Sequence, residues 1–134
     1  MDDLVRFLRV RLLMNFLYAR LDEDEQVARQ ATDGPWLAGF SGETGNCVIP
    51  ADAENTREYV ARTQLYSAAF DAEHIARHDP RRVLREIAAW RRILTYVDMQ
   101  GKPYEFLPLI DPLARIWEDH AEFNPVWLNE LPHR

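Results

Sequence analysis

The stretch DPRRVLREIAAWRRILTYV, residues 79–97, decides the fold because it predicts one long amphipathic helix with a defined start. Asp79 is a preferred N-cap residue, and Pro80 suits the first helical position, where its missing N–H would have had no partner. Gly101 ends the pattern, so we predict a helix near residues 80–99 whose apolar seam packs on another helix. The seam repeats at intervals of four, three, four and three residues, as in a heptad, at Val83, Ile87, Trp90, Leu94 and Val97.

The N-terminal segment predicts the partner of that helix. Asp2 and Asp3 place carboxylates at its start, where they oppose the helix dipole and can cap free N–H groups. The turn-forming residues 33–35 should end it. One face carries apolar residues spaced by three and four positions, except where Asp24 interrupts the series, namely Phe7, Val10, Met14, Leu17, Leu21, Ala28 and Ala31.

The first half of this helix is apolar outside the seam as well. The additional residues are Leu4, Leu8, Leu12, Leu13 and Phe16. A helix with more than one apolar face has more surface to bury than one neighbour covers. We therefore expect part of it to contact a second subunit or a host protein, and we hypothesise a homodimer. The interaction residues assigned on this basis are Leu12, Leu13, Phe16 and Leu17.

Residues 36–66 lack the helical period, and glycines separate their short apolar pieces. Residues 36–40 and 47–49 are typical of two strands joined by a turn rich in glycine and polar residues. Residues 58–66 alternate apolar and polar side chains, which fits a third strand, although a helix stays open there. We expect a short antiparallel hairpin or a three-stranded sheet.

Two shorter helices complete the prediction. One lies near residues 71–78 and is capped by Asp71, and the other lies near residues 111–120, where Asp111 would cap and Pro112 would start it. The expected fold is α+β and mostly helical, in a single domain of 134 residues.

Composition limits the classes of function. A formal net charge of -6 disfavours a dedicated nucleic-acid binder, which usually carries a basic footprint. Cys47 is the only cysteine, which excludes an intrachain disulfide and favours a reducing compartment. The apolar run at residues 10–21 is too short for a membrane span and contains arginines. We expect a cytoplasmic protein that binds neither a membrane nor a cofactor, and the composition disfavours nucleic acid as a partner.

Two histidines could carry chemistry. His74 and His78 are four residues apart, the helical spacing that lets two imidazoles reach one zinc ion. Ile75 stands where the metalloprotease motif has its glutamate base, so a peptidase of that type is excluded. We favour a structural role, in which His78 closes a helix, and keep a metal-dependent hydrolase or nuclease as the alternative. Its third ligand would come from His120, Asp119, Asp71 or Glu73.

Two charged clusters also have functional interpretations. Residues 77–92 contain six arginines that could form a phosphate-binding ridge, but no stacking aromatic motif accompanies them. We favour pairing with acidic residues of the last helix or of another subunit. The acidic residues 22–25 could imitate phosphates, which makes an acidic nucleic-acid-mimicking inhibitor the second alternative, although such a run is usually a solvated helix face.

Four segments together resemble one family. They are MDDLVRFLR at residues 1–9, RLDEDEQVARQATDGPW at 20–36, DAEHIARHDPRRVLREIAAWRRIL at 71–94 and WEDHAEFNPVW at 117–127. The combination is similar to an uncharacterised domain of unknown function found in actinobacteria and their phages. The ten residues VRLLMNFLYA at 10–19 depart from the family pattern and lengthen the first helix. The resemblance implies a phage or mobile-element accessory protein, and we expect it to act by protein contact without catalysis.

Overall fold

The structure is a computed structural model that describes residues 2–128, and the fold is α+β and mostly helical, as predicted. The helices and strands follow in the order α1 (Asp2–Gln30), β1 (Trp36–Ser41), β2 (Gly45–Pro50), β3 (Ala61–Arg62), α2 (Ala68–Arg77), α3 (Pro80–Asp98) and α4 (Leu107–Ala114). Short 3-10 helices occupy Pro103–Phe106, Arg115–Trp117 and Pro125–Leu128.

Contacts divide the chain into two compact units. Unit 1 combines Met1–Glu23 with Ala88–Arg134, and unit 2 is Asp24–Ile87. Helices α1 and α3 each contribute residues to both units. The single-domain organisation therefore stays a prediction.

The core of unit 1 forms between the first half of α1 and the second half of α3. Two ion pairs join these helices, from Arg11 Nη1 to Asp98 Oδ1 at 2.8 Å and from Arg91 Nη2 to Asp22 Oδ1 at 2.6 Å. Their order along the chain requires the helices to run antiparallel. The largest enclosed side chains of this unit are Val10, Leu13, Met14, Leu17, Leu21, Leu94 and Ile110.

The two predicted seams are largely buried, with exceptions at their ends and centre. Val10, Met14, Leu17 and Leu21 of α1 are enclosed, but Phe7 is about half exposed. In α3, Ile87, Leu94 and Val97 are buried, whereas Val83 and Trp90 are only partly covered.

Unit 2 is built on a three-stranded antiparallel sheet in the order β1-β2-β3. Trp36 lies opposite Pro50 and Ser41 opposite Gly45, so β1 and β2 form the predicted hairpin. The third strand is only two residues long, Ala61–Arg62. Cys47 in β2 is a buried free thiol.

Helix α2 packs on one face of this sheet. Its alanines Ala72 and Ala76 are buried against Val48 of β2, with Trp36 and Ile75 partly buried around them. The helix begins at Ala68 and not at residue 71 as predicted, because the N–H of Asp71 already bonds to the carbonyl of Ser67 and closes the first turn. Asp71 therefore lies in the first turn and is not the cap.

Asp79 connects the start of α3 to the chain before β1. Its Oδ1 accepts the N–H of Arg82 at 2.9 Å, which is the predicted N-cap bond, and its Oδ2 accepts the N–H of Trp36 at 2.9 Å. Gly34 approaches so closely that an added Cβ would lie 2.9 Å from the Cβ of Arg81. The same carboxylate thus caps one element and positions another.

The last predicted helix is displaced in the structure. Helix α4 spans Leu107–Ala114, and Pro112 lies inside it and not at its start. Asp111 is buried instead of capping, and its Oδ2 lies 3.4 Å from Arg9 Nη2. The reason is that Leu107, Ile110 and Ala114 recur at helical spacing and are buried, so the apolar stripe sets the start of the helix.

The β1–β2 turn gives a test of the hairpin. Gly45 has a φ of 78°, a left-handed conformation that a Cβ disfavours. We expect Gly45→Ala to lower the free energy of unfolding by about 1 kcal/mol, measured by urea denaturation. Gly42→Ala in the same turn is the control, because an added Cβ there meets nothing within 4 Å. Equal losses in both variants would contradict this explanation.

Candidate interaction surface

The N-terminal half of α1 has two apolar faces, one of which is buried and the other exposed to solvent. Residues four apart in a helix lie on one face, and Leu4, Leu8 and Leu12 form such a row. Their exposed fractions are 63%, 51% and 62%. Val5 and Phe7 beside the row are also about half exposed. The buried residues Val10, Leu13, Met14, Leu17 and Leu21 occupy the opposite side of the same helix.

Of the four predicted interaction residues, only Leu12 belongs to this exposed row. Leu13, Phe16 and Leu17 are buried by their own chain. Phe16 is covered by aromatic rings of the C-terminal segment, with centroids 4.9 Å away for Trp127 and 6.1 Å for Phe123. The C-terminal segment therefore covers Phe16, whereas the leucines at positions 4, 8 and 12 stay accessible.

Each unit has a shallow cavity, of about 360 Å³ in unit 2 and about 300 Å³ in unit 1. Only the cavity in unit 1, of these two, has a residue of the exposed row, Leu12, in its wall, so it continues the row. Its other lining residues are Asn15, Phe16, Ala19, Glu122, Asn124 and Trp127. Its volume offers room for an apolar side chain of a bound partner beside the row.

Arg20 holds the C-terminal wall of this cavity in place. Its buried guanidinium donates from Nη1 to Glu122 Oε2 at 3.2 Å and from Nη2 to Glu23 Oε1 at 3.0 Å. It also lies 5.1 Å from the centroid of the Phe16 ring, within the range of a cation–π contact. The positive charge is thus matched by two carboxylates while its flat face covers an aromatic ring.

His120 completes the Arg20 cluster. Its Nδ1 lies 3.1 Å from Arg20 Nη1 and accepts the backbone N–H of Glu122 at 3.0 Å. Nδ1 thus serves as an acceptor for the backbone of the C-terminal segment, and Nε2 lies 3.7 Å from Glu23 Oε2. His120 is therefore a structural acceptor in unit 1.

His74 and His78 are adjacent in unit 2, with ring centroids 4.4 Å apart. His78 follows the last residue of α2, and its Nδ1 lies 2.7 Å from the carbonyl oxygen of His74, the local role predicted for a histidine that closes a helix. Across the part of the chain that is described, no group of three or more His, Cys, Asp and Glu side chains is arranged to hold a metal ion. The hydrolase or nuclease alternative therefore stays a prediction.

Three arginines of the basic cluster form ion pairs within the chain. Arg77 pairs with Glu73, and Arg82 pairs with Glu86, each four residues away on its own helix. Arg91 pairs with Asp22, a member of the acidic run. The partners of Arg77 and Arg82 are local and not in the last helix as predicted, because i,i+4 neighbours meet without ordering any other part of the chain. Asp22, which pairs with Arg91, belongs to α1.

Two further residues of the acidic run form ion pairs with arginines of α1. Glu23 bonds to Arg20, and Glu25 Oε1 lies 3.5 Å from Arg29 Nε. Such pairing reduces the negative potential that an imitation of phosphates would need. None of the helices within residues 2–128 combines the length and apolar character needed to cross a bilayer.

These features define a small, mostly helical α+β protein whose candidate functional site is the exposed apolar face of α1. The chain belongs to the family of unknown function DUF6221, whose sequence profile matches residues 12–129. This membership confirms the resemblance to a domain of unknown function. The match begins at Leu12, so the exposed Leu4 and Leu8 precede it. No curated protein and no solved structure matches the chain.

Proposed function

We propose that this protein acts by binding another protein through the exposed row Leu4, Leu8 and Leu12, without catalysis. The observation that carries the proposal is that one helix buries its apolar face in its own unit and presents a second apolar face to solvent. Contiguous apolar surface of this kind characterises interaction sites, because exposing it to water is unfavourable unless a partner covers it.

The partner that fits best is an amphipathic helix of a host protein. Leucines spaced by four form a ridge along α1, and a facing helix can pack its own apolar ridge beside them. The cavity beside Leu12 would receive one large apolar side chain of that helix, with Phe16 and Trp127 in its wall. The sequence resemblance adds the setting of a phage or mobile-element accessory protein, and the single cysteine favours the cytoplasm.

The test replaces two leucines of the exposed row by aspartates. We expect Leu8→Asp combined with Leu12→Asp to weaken partner binding at least tenfold, since burying two carboxylates in an apolar contact is strongly unfavourable. The full chain is used to capture a partner, which is then purified and titrated by calorimetry against wild type and variant. Circular dichroism checks that the variant stays folded.

The matched control is Leu65→Asp combined with Phe70→Asp. It removes two exposed apolar side chains of unit 2 and adds the same charge. Binding should be unchanged in this control. Equal affinities of the row variant and wild type for the purified partner, or equal weakening by the control, would overturn the proposal.

A further inference from the structure

The strand β1 forms one edge of the sheet, and its outward backbone groups can be assigned from the hydrogen bonds of β2. The carbonyl of Val48 accepts the N–H of Val60 at 2.7 Å, and the carbonyl of Asn46 accepts the N–H of Thr63 at 3.0 Å. Val48 and Asn46 therefore direct their backbone groups towards β3. In an antiparallel pair of strands, two residues opposite each other direct their backbone N–H and C=O groups either both towards the other strand or both away from it.

The residues opposite these two in β1 are Ala38 and Phe40. Their N–H and C=O groups consequently point away from β2, beyond the edge of the sheet. Pro35 supports this alternation, because its carbonyl accepts the N–H of Ala51 at 2.9 Å and so faces β2. Neither Ala38 nor Phe40 makes an outward hydrogen bond to any residue that the structure describes.

The edge also lacks the features that usually prevent strand pairing. Natural edge strands are shortened, charged, interrupted by proline or covered. The six residues WLAGFS of β1 contain neither charge nor proline, and Leu37 and Phe40 are 51% and 69% exposed. The opposite edge, β3, is two residues long and carries Arg62. Only β1, among the strands described, offers an open apolar edge.

We propose that β1 pairs with β1 of a second copy of this chain, antiparallel, to form a continuous six-stranded sheet. The occupant is specified by the self-complementary pattern of the edge. If Ala38 of one copy faces Phe40 of the other, each pair exchanges N–H and C=O groups, and the same pair recurs on the far side of the twofold axis. The axis then passes between the two Gly39 residues.

The side chains suit this register. Opposite residues in the pair at the axis approach to about 4.5 Å between Cα atoms, and Gly39 has no side chain to obstruct them. The small Ala38 lies beside the exposed Phe40 ring of the other copy, on the same face of the sheet, so each ring loses contact with water. The open part of the edge ends before Trp36, because the N–H of Trp36 is already bonded to Asp79 Oδ2.

This pairing goes beyond the proposed function, and the two surfaces belong to different units of the chain. Two copies joined at β1 would present two leucine rows, which raises the apparent affinity for a partner that is itself multivalent. Failure of one proposal leaves the other standing, since Leu8→Asp combined with Leu12→Asp should not alter self-association.

The first test measures self-association of the full chain by sedimentation equilibrium. We expect a dimer for wild type and at least a tenfold higher dissociation constant for Phe40→Lys and for Ala38→Pro. Proline at position 38 removes an outward N–H while leaving the β1–β2 hydrogen bonds in place. Leu65→Lys, at an exposed residue after β3, is the control and should dimerise as wild type does. Thermal melting verifies that each variant is folded.

The second test examines the register by cross-linking in a Cys47→Ser background. Gly39→Cys should form a covalent dimer on oxidation, because the two positions meet at the axis within disulfide range. Ser41→Cys should not, because its neighbour across the axis is Leu37. A monomer at micromolar concentrations, a dimer insensitive to Phe40→Lys and Ala38→Pro, or cross-linking at position 41 in preference to 39 would overturn the proposal. A monomer whose edge binds only an extended peptide would overturn it too.

Discussion

Asp79→Ala is expected to lower the free energy of unfolding by about 2 kcal/mol, because one carboxylate serves two backbone donors. Its Oδ1 accepts the N–H of Arg82 and its Oδ2 accepts the N–H of Trp36, both at 2.9 Å. Alanine removes the N-cap of α3 and leaves the Trp36 N–H, in a partly buried position, without its acceptor. Urea denaturation at neutral pH measures the loss.

The pH dependence of this effect follows from the pKa of Asp79. Burial raises that pKa, but the N–H groups of Arg82, Trp36 and Arg81 and the charge of Arg85 outweigh burial and hold it below 3.8. A carboxyl whose pKa is lowered by folding contributes its full stabilisation above its unfolded pKa and loses it as the pH falls through the folded value. The stability difference between wild type and Asp79→Ala should therefore narrow below about pH 4.

Asp79→Asn provides the control for charge. It keeps a carbonyl oxygen that can cap Arg82, so we expect a smaller loss than for alanine. Its amide does not titrate near pH 4, so the alanine and asparagine variants should keep a constant difference as the pH falls. A wild-type advantage that persisted unchanged to pH 2 would show that the carboxylate does not act through its charge.

Arg20→Ala is expected to lower the free energy of unfolding by about 2 kcal/mol and to loosen the C-terminal segment. The variant loses the bonds to Glu23, Glu122 and His120 and the cover over the Phe16 ring. Both carboxylates are more than half exposed, so water can solvate them after the change and the loss stays well below that of a fully buried ion pair. Urea denaturation gives the magnitude, and amide exchange gives the location.

Arg20→Lys separates charge from geometry. Lysine keeps the positive charge but lacks the planar fork that reaches several acceptors at once and lies flat on a ring. We expect Arg20→Lys to lose at least half as much free energy of unfolding as Arg20→Ala does. Faster amide exchange should appear at residues 120–127 in both variants. Uniform acceleration across the chain, or a lysine variant as stable as wild type, would contradict the role assigned to the guanidinium fork.

Helix α3 and the hairpin were predictable from the sequence because their signals are local. The Asp79–Pro80 start, the apolar interval of four and three, and the glycine-rich turn all act through neighbouring residues, and the elements begin and end close to the predicted positions. Helix α4 was misplaced because a local signal competed with tertiary burial. Asp111–Pro112 resembles a helix start, but burial of Ile110 and Asp111 in unit 1 outweighs that preference.

The surplus of apolar faces on α1 was visible in the sequence, but its division into buried and exposed residues was not. Periodicity identifies which residues share a face, whereas the burial of Phe16 depends on Trp127, which lies far away in sequence. The role of Arg20 was missed for the same reason, since Glu122 and His120 approach it only after folding. The one available signal was the presence of arginine inside an apolar helical run, and it did not distinguish Arg20 from Arg11.

By itself the amino-acid sequence determined the α+β class, the start of α3, the hairpin and the excess apolar surface of the first helix, because each depends on the conformational preferences of residues close together in the chain. Only the tertiary structure decided that Leu13, Phe16 and Leu17 are enclosed, that Leu4, Leu8 and Leu12 face solvent, and that β1 has an open edge. Those outcomes depend on which distant segment covers which face, and packing free energy, which no local pattern encodes, selects among the arrangements.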